Sequence, residues 1–202
     1  MSRRSGVLDL AVLGLLHESP MHGYELRKRL NAVLGAFRAL SYGTLYPCLK
    51  DLVARGWIVQ SAQLPDAAPS GRAKVVYELT ADGKERFQDL LAEAGPAAWE
   101  DESFDVRFAF FARTDAAVRL RILEGRRTRL EERLDNVKAA ATRARDRMDG
   151  YTLELQRHGL DAAEREVRWL NELIETERAA PVEPPRRTTR KNEHDPDRKT
   201  TR

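Results

Sequence analysis

Apolar residues recur along the first half of the chain with helical spacing, broken by short polar stops. From Val7 to Glu18, Leu8, Ala11, Val12, Leu15 and Leu16 fall on a helical repeat, which predicts a buried helix ended by Ser19-Pro20. A second helix is predicted from about Met21-His22 to Leu34, with Tyr24, Leu26, Leu30, Val33 and Leu34 apolar and Gly35 as its stop. Ser41 is a good N-cap for a third helix reaching about Arg55. Its inner face is Leu45, Cys48, Leu49 and Leu52, and Gly56 stands in the C-cap place. Two runs with strand character follow, Trp57–Gln60 and Lys74–Leu79. The polar segment between them holds Pro65, Asp66, Pro69, Ser70, Gly71 and Arg72, so a hairpin with a long loop is expected. Thr80 then caps a fourth helix to about Glu93. Helix-helix-helix-strand-strand-helix is the order of a winged helix-turn-helix, expected over residues 1–94.

Gly95-Pro96 marks a boundary, after which Trp99, Phe104, Phe108, Phe110 and Phe111 form an aromatic segment. Thr114 is read as the cap of a very long helix toward Asp149. Leu120, Leu123, Arg127, Leu130, Leu134, Val137, Ala141, Ala144, Met148 and Tyr151 alternate in steps of three and four, the spacing of coiled-coil packing. Gly150 and Gly159 suggest a turn region. Asp161 with Glu164 then resembles a capping box for a last helix to about Arg178, with Ala163, Val167, Leu170 and Ile174 inward. Residues 95–179 are thus expected to be a helical dimerisation domain. Its contacts would be Leu120, Leu123, Leu130, Leu134, Val137, Met148, Tyr151, Val167, Leu170 and Ile174. Residues 180–202, rich in proline and charge, form an expected disordered basic tail. The fold class is mainly α.

Charge and chemistry narrow the function. The net charge is only +3 although 33% of residues are charged, so placement carries more than the total. Cys48 is the only cysteine, which excludes an internal disulfide framework and suits a reducing cytoplasm. The apolar run after Arg3-Arg4 contains Asp9 and runs into His17-Glu18, unlike a signal peptide, and is too short to span a bilayer. A cytoplasmic protein without a membrane partner is expected. His17, His22, His158 and His194 are scattered, so no metal site is expected, and no cofactor. There is no phosphate loop, nucleophile elbow or other catalytic constellation, and the chain is not read as an enzyme.

The third helix carries the strongest signal. Opposite its apolar face stand Ser41, Tyr42, Gly43, Thr44, Tyr46, Pro47 and Lys50. Small, polar and aromatic groups of this kind fit a DNA major groove, and a helix N-terminus with Ser41 and Thr44 favours phosphate. Arg72 and Lys74 flank the wing tip within reach of a neighbouring phosphate or the minor groove, and Tyr24 joins the candidate contacts. Each residue alone has a plainer reading: Tyr46 as a packed core tyrosine, Lys50 as a solvated face, Pro47 as a tolerated first-turn proline. Their order and spacing together point to DNA. Trp99, Phe104, Phe108 and Phe111 are read first as a packed joint between domains and second as the lining of an effector pocket.

Leu8-Asp-Leu-Ala-Val-Leu-Gly-Leu-Leu16, Pro20-Met-His-Gly-Tyr-Glu-Leu26, Ser41-Tyr-Gly-Thr-Leu-Tyr-Pro47 and Val76-Tyr-Glu-Leu-Thr80 resemble the PadR family of transcriptional regulators over about the first 90 residues. Val76 departs from the family's usual second wing aromatic. The long C-terminal helices are similar in architecture to the larger, AphA-like branch. The resemblance implies a homodimeric repressor on a pseudo-palindromic double-stranded DNA operator, released by a small-molecule effector. The competing reading is a winged-helix, coiled-coil protein-interaction module without DNA specificity.

Overall fold

The computed structural model describes residues 3–34, 42–62, 75–144 and 149–180. Ser41, Arg72, Lys74, Met148 and the tail from 181 onward lie outside the described residues, as does Gly35.

Helix α1 (Arg3–Glu18) is the hub. Leu8, Leu10, Ala11, Val12, Leu13, Leu15 and Leu16 are all buried, so this helix is apolar nearly all round and is enclosed by other elements. It touches α2 (Gly23–Leu34), α3 (Tyr42–Ala54), strand β3 (Val75–Leu79), α4 (Ala81–Ala92) and α5 (Asp101–Ala109). The expected helix start at Met21-His22 is instead a two-residue strand, β1 (Met21–His22), and α2 begins at Gly23. Pro20 ends the preceding run. The backbone of Met21 and His22 then pairs with Tyr77 and Val76 of β3, and the His22 ring reaches the Val75 carbonyl at 3.2 Å. The sheet has the order β1-β3-β2, with β2 (Ile58–Ala62) antiparallel to β3 and Ile58 opposite Leu79.

Two turns were legible in the chain and form as expected. Gly56 ends α3 at φ 73°, a left-handed conformation that suits glycine. Thr80 caps α4: its hydroxyl oxygen accepts from Gly83 N at 3.0 Å and donates toward the carbonyls of Gly56 (2.7 Å) and Trp57 (3.0 Å). One residue thus ties the helix start to the β2 entrance.

The second half departs further from expectation. The aromatic segment contains a helix, α5, between the 3-10 turns Pro96–Ala98 and Phe111–Arg113. Helix α6 (Ala116–Ala144) is started by Asp115, whose carboxylate accepts from Ala117 N at 2.9 Å. The Thr114 hydroxyl instead donates back to the Phe110 carbonyl at 3.0 Å, so the cap lies one residue later than read. Helix α7 (Gly150–Ala179) is capped by Asp149, which accepts from Tyr151 N and Thr152 N. Gly159, Asp161 and Glu164 therefore sit inside a continuous helix, and the apparent capping box starts nothing.

Helices α6 and α7 pack side by side as an antiparallel hairpin of nearly equal arms. Leu123 and Leu130 of the seam enter one buried cluster with Leu170 and Ile174, with Leu120 and Val167 packed against it. The seam is thus closed in part within one chain, where the sequence alone suggested it was too long for its neighbour. Leu134 is buried and Val137 is half-buried, while Tyr151 is 92% exposed. Arg119 pairs with Glu177 at 2.7 Å and Lys138 with Glu164 at 2.7 Å across the hairpin.

Candidate nucleic-acid interface

The 3.6-residue repeat of α3 separates its two faces. Leu45, Leu49 and Leu52 are buried against α1 and the rest of the winged core, and Cys48 is half-buried beside them. Gly43, Thr44, Tyr46, Pro47 and Lys50 are exposed. Tyr42 is the first residue of α3. Pro47 is inside the helix rather than in its first turn. Without an N–H it cannot donate to the Gly43 carbonyl four residues earlier, and that carbonyl lies on the exposed face.

Tyr46 is 45% exposed, so the packed-core alternative does not describe it. Its ring lies across the start of α2: a Cβ built on Gly23 would sit 3.3 Å from the Tyr46 hydroxyl. Tyr24, the next residue, is 63% exposed, and the Arg27 guanidinium lies 5.9 Å from its ring centre. Tyr24, Tyr46 and Lys50 therefore belong to exposed surface on two adjacent helices. Arg27 is the addition that sequence reading missed. Its i, i+3 spacing from Tyr24 places both on one helical face, but the neighbouring Lys28 and Arg29 give the sequence no means of singling it out. The Tyr77 hydroxyl, beneath this surface, is pushed up by burial and by the neighbouring Tyr46.

Behind α3 a polar pair is enclosed. The Cys48 thiol donates to the Asp9 carboxylate of α1 at 3.4 Å, and Asp9 is buried. Burial raises the Asp9 carboxyl despite the Cys48 hydrogen bond and the Arg55 charge. Burial and the Asp9 carboxylate both push the Cys48 thiol well up, so this sulfur remains a thiol at neutral pH rather than a reactive thiolate. Among the described residues no group of three His, Cys, Asp or Glu could hold a metal, and no helix is long and apolar enough to cross a membrane.

Three of the four aromatic residues singled out in the sequence, Phe104, Phe108 and Phe111, meet at the junction of the two halves. Phe108 packs 5.9 Å from Phe104 and 5.0 Å from Phe111, and Trp169 of α7 closes on Phe108 at 5.3 Å. Trp99 lies on Gly125 of α6, where a Cβ would overlap its ring. Arg126, 7% exposed, stacks 5.2 Å over Phe104. It also donates to the Trp99 carbonyl, to the Asp101 carboxylate and to Glu166 at 2.7 Å. Burial alone would lower the Arg126 guanidinium and raise the Asp101 carboxyl. The Glu166 and Asp101 hydrogen bonds hold Arg126 above its ordinary value, and Arg126 holds Asp101 below the usual carboxylate range. Two described clefts flank this segment, and the first reaches the Asp101, Arg126 and Glu166 network. One, of about 450 Å³, is lined by Leu130, Leu134, Val137 and Leu160 of the hairpin. The other, of about 160 Å³, lies between α1, α4 and α5 beside Arg107.

With ring packing of this kind, Phe108→Ala is expected to destabilise the fold by roughly 3 kcal/mol, the lower end for a core phenylalanine because Phe108 is half-buried. Thermal melts of the variant check this; an unchanged melting temperature would mean that the rings are not a structural joint.

Residues 12–89 match the family model described as the transcriptional regulator PadR-like family. This part of the chain is similar to the PadR-like family. The negative transcriptional regulator PadR of Bacillus subtilis is 31% identical over 90 residues, 45% of this chain and 48% of that protein. The chain's match therefore spans about half the length of that curated relative. Among solved structures, Bacillus subtilis PadR in complex with operator DNA aligns with 85% of this chain and 99% of its own, at 21% identity and a TM-score of 0.41. A PadR-like transcriptional regulator of Bacillus cereus aligns with 85% of this chain and 98% of its own, at 20% identity and a TM-score of 0.37. The PadR-like domain coincides with the part of the chain that presents α3, and its relatives are named as regulators rather than enzymes.

Proposed function

We propose that this chain is a homodimeric DNA-binding transcriptional repressor, with α3 entering the major groove and the β2–β3 wing lying beside it. The observation that carries this reading is the face of α3 itself. It offers Gly43 and Thr44 near the helix N-terminus, an exposed Tyr46 ring and Lys50, on a helix whose other face is locked into the core. Thr44 and the N-terminal turn of α3 suit a phosphate. Tyr46 suits a base edge or thymine methyl, and Lys50 suits the backbone. The negative regulation named for the Bacillus subtilis relative supports repression.

A two-fold dimer presents two such helices, so the site is a pseudo-palindrome with half-sites about 34–36 Å apart. Exposed Tyr151 and Leu155, one turn apart on α7, support association through the hairpin. Sedimentation at micromolar concentration is expected to give a dimer; a monomer would remove the two-fold operator from the account. Any small-molecule effector would act by shifting the aromatic joint around Trp99, Phe104, Phe108 and Phe111, because that joint sets where the two winged domains stand.

Footprinting on the duplex upstream of the protein's own coding sequence tests the assignment. Lys50→Ala is expected to weaken binding to every duplex alike. Tyr46→Ala should lower discrimination between the protected site and random sequence, by about 10-fold if one base contact of 1–3 kcal/mol is lost. If neither change alters binding, α3 is not the reading helix and a protein partner for the winged domain becomes the better account.

A further inference from the structure

The C-terminus of α1 meets the 3-10 turn that leads into α6, and the contact is built around one histidine. Arg113 of that turn donates Nη1–H to Nδ1 of His17 at 3.2 Å. A guanidinium has donors only, so the imidazole nitrogen facing it must carry a lone pair, and the ring is neutral with its proton on Nε2. The other side of the ring rests on Phe87 of α4, with centroids 5.2 Å apart. Glu18 stands beside the pair and is shared between two cations, Arg113 at 3.7 Å and Arg29 of α2 at 3.6 Å, while Arg29 is also held by Glu25 at 2.9 Å. Lys84 of α4 adds a third positive charge facing the ring.

We propose that His17 and Arg113 form a proton-operated clasp between the winged domain and the C-terminal hairpin, closed when the imidazole is neutral and released when it is protonated. Protonation abolishes the acceptor and sets a cation against Arg113 and Lys84, with Glu18 already divided between Arg113 and Arg29. The clasp has a pivot that does not titrate. Three residues earlier on α1, Gly14 receives the Phe110 ring, and a Cβ there would overlap that ring. Opening at His17 therefore loosens one attachment, while Phe110 on Gly14, the rest of the α1–α5 contact and Arg107 on Glu93 and the Leu90 carbonyl hold the others. Burial, Arg113 and Lys84 hold the ring below its ordinary value of 6.5, so the clasp is closed at neutral pH and opens on the acid side of that value.

Hydrogen–deuterium exchange of the full chain, read on peptides covering residues 14–20 and 110–118, tests the clasp. Wild type, His17→Gln and Arg113→Gln are compared side by side at each pH, so that intrinsic exchange chemistry cancels. At about pH 7.5 His17→Gln should match wild type, because the glutamine amide oxygen accepts from Arg113 as the imidazole does. At about pH 5.5 wild type should exchange on the order of 5-fold faster than His17→Gln in these peptides, and no faster elsewhere in α1. Arg113→Gln should exchange fast at both pH values. Equal rates for wild type and His17→Gln at acid pH would overturn the proposal, as would an acid response that survives in Arg113→Gln.

Discussion

Gly83→Ala is expected to destabilise the winged domain by about 3 kcal/mol or more, lowering its melting temperature by on the order of 15 °C. Gly83 is the third residue of α4 and is buried, and its N–H is the one the Thr80 cap receives. A Cβ at this position would overlap the carbonyl oxygen of Trp57. That oxygen is backbone, and it already accepts from Thr80 N at 3.1 Å and from the Thr80 hydroxyl. No rotamer change can relieve the overlap. Either α4 lifts away from the start of β2 or the Thr80 bonds break, and both open the wing's base. Gly6→Ala serves as the control, since a Cβ at Gly6 meets nothing within 4 Å and alanine is the better helix former by about 1 kcal/mol. A Gly83→Ala protein that melts like wild type would show that α4 does not dock on β2 in this register.

The second large effect belongs to the joint. Arg126→Met should cost about 3 kcal/mol, the lower bound for breaking a buried ion pair, because the Asp101 carboxylate is itself largely exposed. Removing the guanidinium leaves Glu166, Asp101 and the Trp99 carbonyl without their shared donor. The sign of its pH dependence follows from Asp101. Its carboxyl is held below its ordinary value of 3.8 in the folded chain, so its contribution is complete above that value. It fades as pH falls through the lower folded value. The stability gap between wild type and Arg126→Met should therefore be widest near neutrality and narrow below about pH 4. Melting curves of both proteins across that range would contradict the network if the gap stayed constant or widened in acid.

How much of the fold was legible in the sequence depended on how local each signal is. The two faces of α3, the Gly56 stop and the Thr80 cap are set by residues within a turn of one another, and all three form as read. Strand β1 was invisible because two residues have no period; Met21 and His22 are extended only because β3, more than fifty residues later, offers an edge. Helix α5 was masked by the density of phenylalanines, although the i, i+4 pair Phe104 and Phe108 marked it. The start of α7 was misplaced because Asp161 and Glu164 have the spacing of a capping box wherever they occur, and Gly159 is tolerated in mid-helix.

The seam of α6 showed a deeper ambiguity. A three-four repeat serves a neighbouring helix of the same chain as well as one from a second copy, and Leu123 and Leu130 meet Leu170 and Ile174 at home. On the candidate interface, Tyr46 and Lys50 could be chosen from their positions opposite the apolar face of α3, whereas Tyr24, counted among the apolar positions of α2, is 63% exposed. Arg27 and Arg126 could not be chosen, because several arginines stand near each and only packing decides which one turns toward Tyr24 or into the joint.

Salt tests the proposed docking of α3 on double-stranded DNA most directly. Affinity of the full-length protein for the duplex upstream of its own coding sequence should be measured by fluorescence anisotropy at rising salt. If a dimer neutralises roughly 6–10 phosphates, affinity should fall about 10³–10⁵-fold between about 50 and 200 mM salt, and Lys50→Ala should reduce the slope. Affinity that stays flat across this range, or a slope that Lys50→Ala leaves unchanged, would contradict the docking of α3 on DNA.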